Sequence, residues 1–354
     1  MDVLVGNFIL CIICAIIIYV LPLDYKRKNI YFCFITLVLI SFIHGLIDVY
    51  SVPDLFIYED VYHEVDEKSI FDVLFEPGAD DGSDYERGFK LYQKFFSTFF
   101  SDFNIFLVIN SFVMFGLYYK SFFRYSPYIY VSVLLLLLIP YNQSIFIVRQ
   151  HLSIAVLTLS YPYIINQDFR KFFVVLFVAY LIHNSSLIFL PVYFLYGINN
   201  TRRYLTVMAI GSLAASFLLF TFVLVLGFIF TRNTFFIETV ERGVAIKSII
   251  MGAVMLCYCY YLKKRVLEPG INKLVFTISL LGIIGNALVG EAGGGRIFLS
   301  FYVVMLFQIP ITMYYIKNKF KKCIYLISVL SLFVLFSYVL AGDVVFYLGM
   351  SFLI

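Results

Sequence analysis

Eleven apolar runs, most of them close to twenty residues long, follow one another between residues 3 and 341. A helix of that length spans the hydrocarbon core of a bilayer, about 30 Å at 1.5 Å per residue. Lipid offers the backbone no hydrogen-bond partners, so a segment at that depth must satisfy its own N–H and C=O groups. Composition points the same way: 62% of the residues are hydrophobic and 14% are charged, against about 45–50% and about 25% in soluble domains. An aromatic fraction of 20%, with 41 Phe and 29 Tyr, also excludes a disordered chain. The expected fold is an all-α integral membrane protein of about 10–12 transmembrane helices, a single polytopic domain over residues 1–354.

The runs lie at roughly 3–22, 29–47, 104–123, 127–141, 144–166, 172–197, 204–230, 244–262, 271–289, 297–316 and 323–341. The first lacks a basic n-region and a small-x-small cleavage site, so it is expected to persist as a spanning helix. One sizeable polar segment, 48–95, interrupts the series. Its Pro53, Pro77 and the acidic, Gly-containing stretch 78–84 predict a loop with at most one short helix. Between Asp48 and Lys94 there are 13 acidic and four basic residues, a local net charge of −9, and the rest of the chain carries +13. The basic residues cluster beside apolar runs, the pattern of topology signals rather than of nucleic-acid binding. All six cysteines fall within apolar runs and are expected to pack as small apolar residues.

Lys26-Arg27-Lys28, Lys120 with Arg124, and Arg170-Lys171 are all cytoplasmic if the N-terminus and the acidic loop lie outside. The later clusters, Arg202-Arg203, Lys263-Lys264-Arg265 and Lys317 to Lys322, keep that side only if 172–197 enters and leaves on the same face. The polar quartet His183-Asn184-Ser185-Ser186 is where such a re-entrant segment would break. With that break, 17 of the 26 basic residues face the cytoplasm. Two short full helices, or an ordinary crossing with weaker charge bias, are the alternatives.

Ionisable groups inside apolar runs are costly, about 2.5–3.5 kcal/mol each on insertion scales, so each is a candidate for function. Arg149 follows the kink signal Pro140-Tyr141-Asn142-Gln143 and opens an apolar helix. Its forked guanidinium suits a phosphate, and snorkelling to the lipid headgroups is the lesser alternative. His183 lies between two apolar stretches, where a neutral imidazole can accept a proton from a hydroxyl. Gly290-Glu291-Ala292-Gly293-Gly294-Gly295-Arg296 reads as a tight turn with a cation at its edge. A Walker-type phosphate loop is excluded, since Gly-Lys-Ser/Thr is missing. Most of the loop carboxylates, among them Asp84 and Glu86, read as a solvated acidic face, and one set over a cavity could act on a sugar hydroxyl. Neither EF-hand spacing nor a Cys/His metal pattern is present.

Four motifs together resemble the EpsG-like polysaccharide polymerases. Asp84-Tyr85-Glu86-Arg87-Gly88-Phe89 is similar to their D/G-Y-E-x-x-(F/Y) segment after the second span. Arg149-Gln150-His151-Leu152-Ser153-Ile154-Ala155 resembles their R-Q helix start, with one extra residue before the alanine. Residues 177–188, around His183-Asn184-Ser185-Ser186-Leu187-Ile188, resemble the H-x-S-(A/S)-L-I signature, and Arg296 with Tyr302 resembles the late R-x-x-x-x-x-Y feature. The order and spacing are those of the family and extend over most of the chain; the polar loop is longer and more acidic than the minimal pattern.

The resemblance implies a Wzy-type membrane glycosyltransferase of O-antigen, capsule or exopolysaccharide synthesis in the bacterial cytoplasmic membrane. Its substrates would be oligosaccharide repeat units linked to undecaprenyl pyrophosphate, joined on the outer face of the membrane. A chain-length regulator, other assembly proteins and membrane lipid are the further partners expected, and no cofactor or metal is called for. Arg149 and Arg296 are expected to neutralise the pyrophosphate leaving group. His183 is the first choice of base, with Glu86 or Asp84 second, and Gln150, Arg87, Tyr85 and Tyr302 complete the expected substrate contacts. A membrane O-acyltransferase, which would also use an intramembrane His, is one rival. A lipid-linked saccharide flippase is the other, and it predicts an internal pseudo-symmetry and a polar pathway open to both sides, neither of which is evident in the sequence.

Overall fold

The structure, a computed structural model, describes residues 3–52, 54–75, 85–138, 140–198, 250–289 and 299–340, and among these every regular element is a helix. In chain order the first twelve α-helices are α1 Val3–Val20, α2 Tyr25–Gly45, α3 Leu55–Glu67, α4 Ile70–Phe75, α5 Arg87–Ser97, α6 Phe103–Tyr125, α7 Ile129–Leu138, α8 Pro140–Phe146, α9 Val148–Thr158, α10 Tyr161–Ile165, α11 Phe169–Ile182 and α12 Leu190–Tyr196. Beyond them lie a helical stretch at 250–262 and the helices Ile271–Val289, Leu299–Tyr302, Met305–Tyr315 and Lys319–Leu340. Among the described residues two helices, α2 and α6, are long and apolar enough to cross a membrane. The run expected at 204–230 and the glycine turn at 290–296 lie outside the described residues.

The chain divides into two compact units, Met1–Leu159 with Val174–Ser186 and Cys323–Ile354, and Ser160–Phe173 with Leu187–Lys322. In the first unit α2 packs along α6. Asp24 starts α2 four residues before the apolar run begins, because its carboxylate accepts the Arg27 N–H at 2.7 Å. Phe32, Thr36, Ile40 and His44, at helical spacing, form the buried face of α2, and Thr36 meets the Tyr119 hydroxyl of α6 at 3.1 Å. Gly45 permits the closest approach: a Cβ there would lie 2.1 Å from a Val108 methyl. Asp102 caps α6 by accepting the Asn104 and Ile105 N–H groups. Further along, Ser121 of α6 donates to Thr158 of α9 at 2.8 Å.

Three sequence expectations need correction. The run 144–166 is not one helix but α8, α9 and α10 in succession. Ile147, at φ −118° and ψ 55°, breaks the first junction, and Pro162 belongs to the first turn of α10, where its missing N–H costs nothing. The polar segment 48–95 is mostly helical where described. Leu55, Tyr58, Val61, Tyr62 and Val65 recur at helical spacing and are the buried face of α3, a periodicity outweighed in the sequence by the surrounding charge and proline. Among the cysteines, Cys323 is exposed rather than packed.

The second unit is held by aromatic and polar contacts. Tyr161 lies between Phe189 and Phe307, and the buried Lys273 donates to the Ile198 carbonyl at 2.8 Å. Residues 169–173 and 187–197 of this unit meet each other, while Val174–Ser186 belong to the first unit. The α-helical pattern ends with the His183 N–H on the Ala179 carbonyl, and a 3₁₀ segment, Asn184–Phe189, leads into α12. At the other end Phe172 stacks on Tyr193 at 4.9 Å and Phe169 meets Phe194 at 6.0 Å. Gln167 lies against Gly197, where a Cβ would come within 2.6 Å of its amide oxygen. The segment thus starts and finishes at one place.

Candidate active site

The site forms in the first unit, where the start of α5 meets the end of α11. Gly88, in the first turn of α5, lies directly on Leu181: a Cβ at Gly88 would be 2.3 Å from the Leu181 carbonyl oxygen and 2.6 Å from its Cβ. That contact sets Glu86, immediately before α5, beside His183. Behind α5, Phe89 is fully buried against Tyr58 and Tyr85, and the Gln93 amide donates to the Tyr58 carbonyl at 3.0 Å. Tyr58 and Tyr85 face each other with ring centroids 5.0 Å apart.

Glu86 divides its carboxylate between two sets of partners. Oε1 meets His183 Nδ1 at 2.8 Å and accepts the Asn184 backbone N–H at 3.0 Å. Oε2 pairs with Nη1 of Arg149. The guanidinium lies 3.7 Å from the centroid of the Tyr85 ring, a close cation–π contact, and its Nε donates to the Tyr58 hydroxyl at 3.5 Å. One residue along α9, Gln150 donates to Ser185 Oγ at 3.4 Å. The three charged or titratable side chains are mostly buried but not closed off, at 11% exposure for Glu86, 19% for Arg149 and 23% for His183.

Burial alone would raise the pKa of Glu86. The hydrogen bond with His183, the Arg149 charge and the Asn184 N–H outweigh it and lower the carboxyl to about 2. Glu86 is therefore a carboxylate at any physiological pH and a weak base. Burial pushes the Tyr85 phenol up, so it stays protonated. Such an arrangement can hold an imidazole in one tautomer, present a cation to an anion, and keep both in a partly dehydrated setting. Among the described residues no group of three or more His, Cys, Asp or Glu side chains is placed to hold a metal ion.

Of the residues singled out in the sequence, the structure brings together Glu86, Tyr85, Arg149 and His183, with Gln150 joined through Ser185. Arg87 is exposed at the start of α5. Tyr302 is buried within the second unit, and Asp84 and Arg296 lie outside the described residues. Sequence reasoning missed Tyr58 and the Asn184 backbone N–H. The helical periodicity of α3 is the one signal that could have pointed to Tyr58 as an inward-facing aromatic; a backbone donor leaves no mark in a sequence.

No curated protein and no solved structure matches the chain. A family model described as the EpsG family matches residues 49–348. That stretch is most of the chain and contains Tyr58, Tyr85, Glu86, Arg149 and His183, and the chain belongs to the EpsG family.

Proposed function

We propose that this protein is a multi-pass enzyme of the bacterial cytoplasmic membrane, a glycosyltransferase that polymerises polyprenyl-pyrophosphate-linked oligosaccharides into a surface polysaccharide. Membership in the EpsG family supports a membrane protein of polysaccharide biosynthesis. The spanning reading draws on the apolar runs and on the helices' outer faces, where Phe34 and Phe42 of α2, Phe112 of α6 and Val174 of α11 stand exposed. With Lys26-Arg27-Lys28 and Arg170-Lys171 on the cytoplasmic side, α11 would lift His183 about 21 Å into a core about 30 Å thick. Its contact with Glu86, from the loop assigned to the outside, supports a site opening outward.

The observation that carries the reaction is one carboxylate joined to both an imidazole and a guanidinium. The new bond forms between an acceptor hydroxyl oxygen and the donor's anomeric carbon, and the bond from that carbon to the pyrophosphate oxygen breaks. With its Nδ1–H directed to Glu86, His183 can accept the hydroxyl proton at Nε2, which no hydrogen bond engages among the described residues. Glu86 orients and stabilises the imidazolium rather than taking the proton itself. Arg149 stabilises the charge that collects on the departing pyrophosphate. Arg296 remains the second cation of this reading, on the strength of its motif, and Arg87, Tyr85, Gln150 and Tyr302 the substrate contacts.

The test is a reconstituted reaction of purified protein with a polyprenyl-pyrophosphate-linked repeat unit, resolved as a ladder. Wild type should give the ladder, and Arg149→Ala and His183→Ala should each lose about 100-fold or more while remaining inserted and folded. Full-length polymer from either folded variant would remove that residue from the chemistry. A folded wild type that moves the lipid-linked unit across the bilayer, or acylates it, without making a ladder would turn the assignment to a flippase or an O-acyltransferase.

A further inference from the structure

Arg149, taken above as the group that meets the pyrophosphate, is already occupied by a carboxylate. We propose that Glu86 Oε2 is a built-in stand-in for a phosphate oxygen, a latch that holds the anion site until a pyrophosphate group displaces it. The inference rests on the reading of Arg149 as the anion-binding residue.

Three features of the geometry carry it. First, the two carboxylate oxygens have separate partners: Oε1 keeps His183 Nδ1 and the Asn184 N–H whether or not Oε2 stays on Arg149. Displacement therefore breaks one of three contacts, not all of them. Second, the guanidinium is held independently of Glu86, by the face of Tyr85 at 3.7 Å and the Tyr58 hydroxyl at 3.5 Å, so the cation stays in place when the carboxylate lets go. Third, among the described residues no hydrogen bond engages Nη2 of Arg149, so Glu86 uses only one tine of the fork. A pyrophosphate can bridge two guanidinium donors and brings more charge than a single carboxylate, which gives it the means to win the exchange.

The exchange also links binding to chemistry. While Oε2 sits on Arg149, much of the carboxylate charge is neutralised there. Once displaced, that charge is left to His183 and the Asn184 N–H, and it stabilises the imidazolium that forms as the acceptor hydroxyl is deprotonated. The base is thus strengthened when the donor headgroup is in place and held back when it is not.

The experiment is calorimetric titration of the purified full-length protein in detergent with two probes, inorganic pyrophosphate and farnesyl pyrophosphate. Glu86→Gln removes the competing charge and is expected to bind the probes about tenfold more tightly than wild type, a difference of about 1.4 kcal/mol. Arg149→Ala should remove binding in both backgrounds. Equal or weaker binding by Glu86→Gln, with Arg149→Ala still abolishing it, overturns the latch and leaves the anion site standing. Absence of binding in every folded version overturns the anion site itself, and the latch with it. If Glu86→Gln does not fold, Glu86→Asp serves, since the shorter side chain cannot span both arms; tighter binding supports the latch and unchanged binding overturns it. Within a supported latch, preference for the prenylated probe identifies a lipid headgroup as the displacing group, and equal affinity identifies free pyrophosphate.

Discussion

Glu86 contributes to stability in its charged form, through His183, Asn184 and Arg149. Its folded pKa of about 2 lies below the ordinary 4.5, so the unfolded chain takes up the proton first as pH falls. The contribution is therefore full above 4.5 and disappears as pH drops towards 2. Thermal unfolding of wild type and Glu86→Gln should show a gap that is constant above 4.5 and closes below it. A gap that instead widens on acidification would mean that Glu86 is not held as a carboxylate in the folded protein. Of the 13 acidic residues between Asp48 and Lys94, the motif narrowed the choice to Glu86 or Asp84 and went no further. The two side-chain partners of Glu86 are 63 and 97 residues away, and neither pairing follows from local propensity.

At the scale of elements, the approach of α5 to α11 is the contact on which the site depends, and Gly88 permits it. Gly88→Ala would put a methyl 2.3 Å from the Leu181 carbonyl oxygen, which is backbone and cannot rotate away. The helices must separate, at about 1–3 kcal/mol for such overpacking, and Glu86 moves off His183. Polymer synthesis should fall about 100-fold, the order expected for a misplacement near 1 Å, with a smaller loss of thermal stability. Leu181→Ala should not rescue it, because the carbonyl and Cβ remain. Wild-type ladder lengths from Gly88→Ala would show that the packing is looser than the site requires. The elements themselves were partly legible. The apolar runs at 29–47 and 104–123 located α2 and α6, whose starts are capped in the structure by Asp24 and Asp102. The breaks at Ile147 and in front of α10 were hidden inside a continuous apolar run, since hydropathy does not register where a helix stops.

For the whole molecule, the uneven charge is the guide to sidedness, with −9 in the segment from Asp48 to Lys94 and +13 elsewhere. In a background with the native cysteines replaced, His63→Cys on α3 should react with a membrane-impermeant maleimide applied to intact cells. Arg27→Cys and Lys171→Cys should react only after permeabilisation; all three positions are exposed in the structure. Labelling of all three from one side would refute the proposed topology. By itself the sequence determined that the described residues are helical, that two of their helices, α2 and α6, are long and apolar enough to cross a membrane, and that the chain belongs to the EpsG family. Those properties are carried by residues near one another in the chain. Only the tertiary structure decided that Phe169 and Phe172 meet Phe194 and Tyr193, and that Glu86 joins His183 to Arg149 over the ring of Tyr85. Such contacts bring together residues tens of positions apart, and they exist because α3, α5, α9 and α11 pack as they do. No single stretch of the chain encodes that packing.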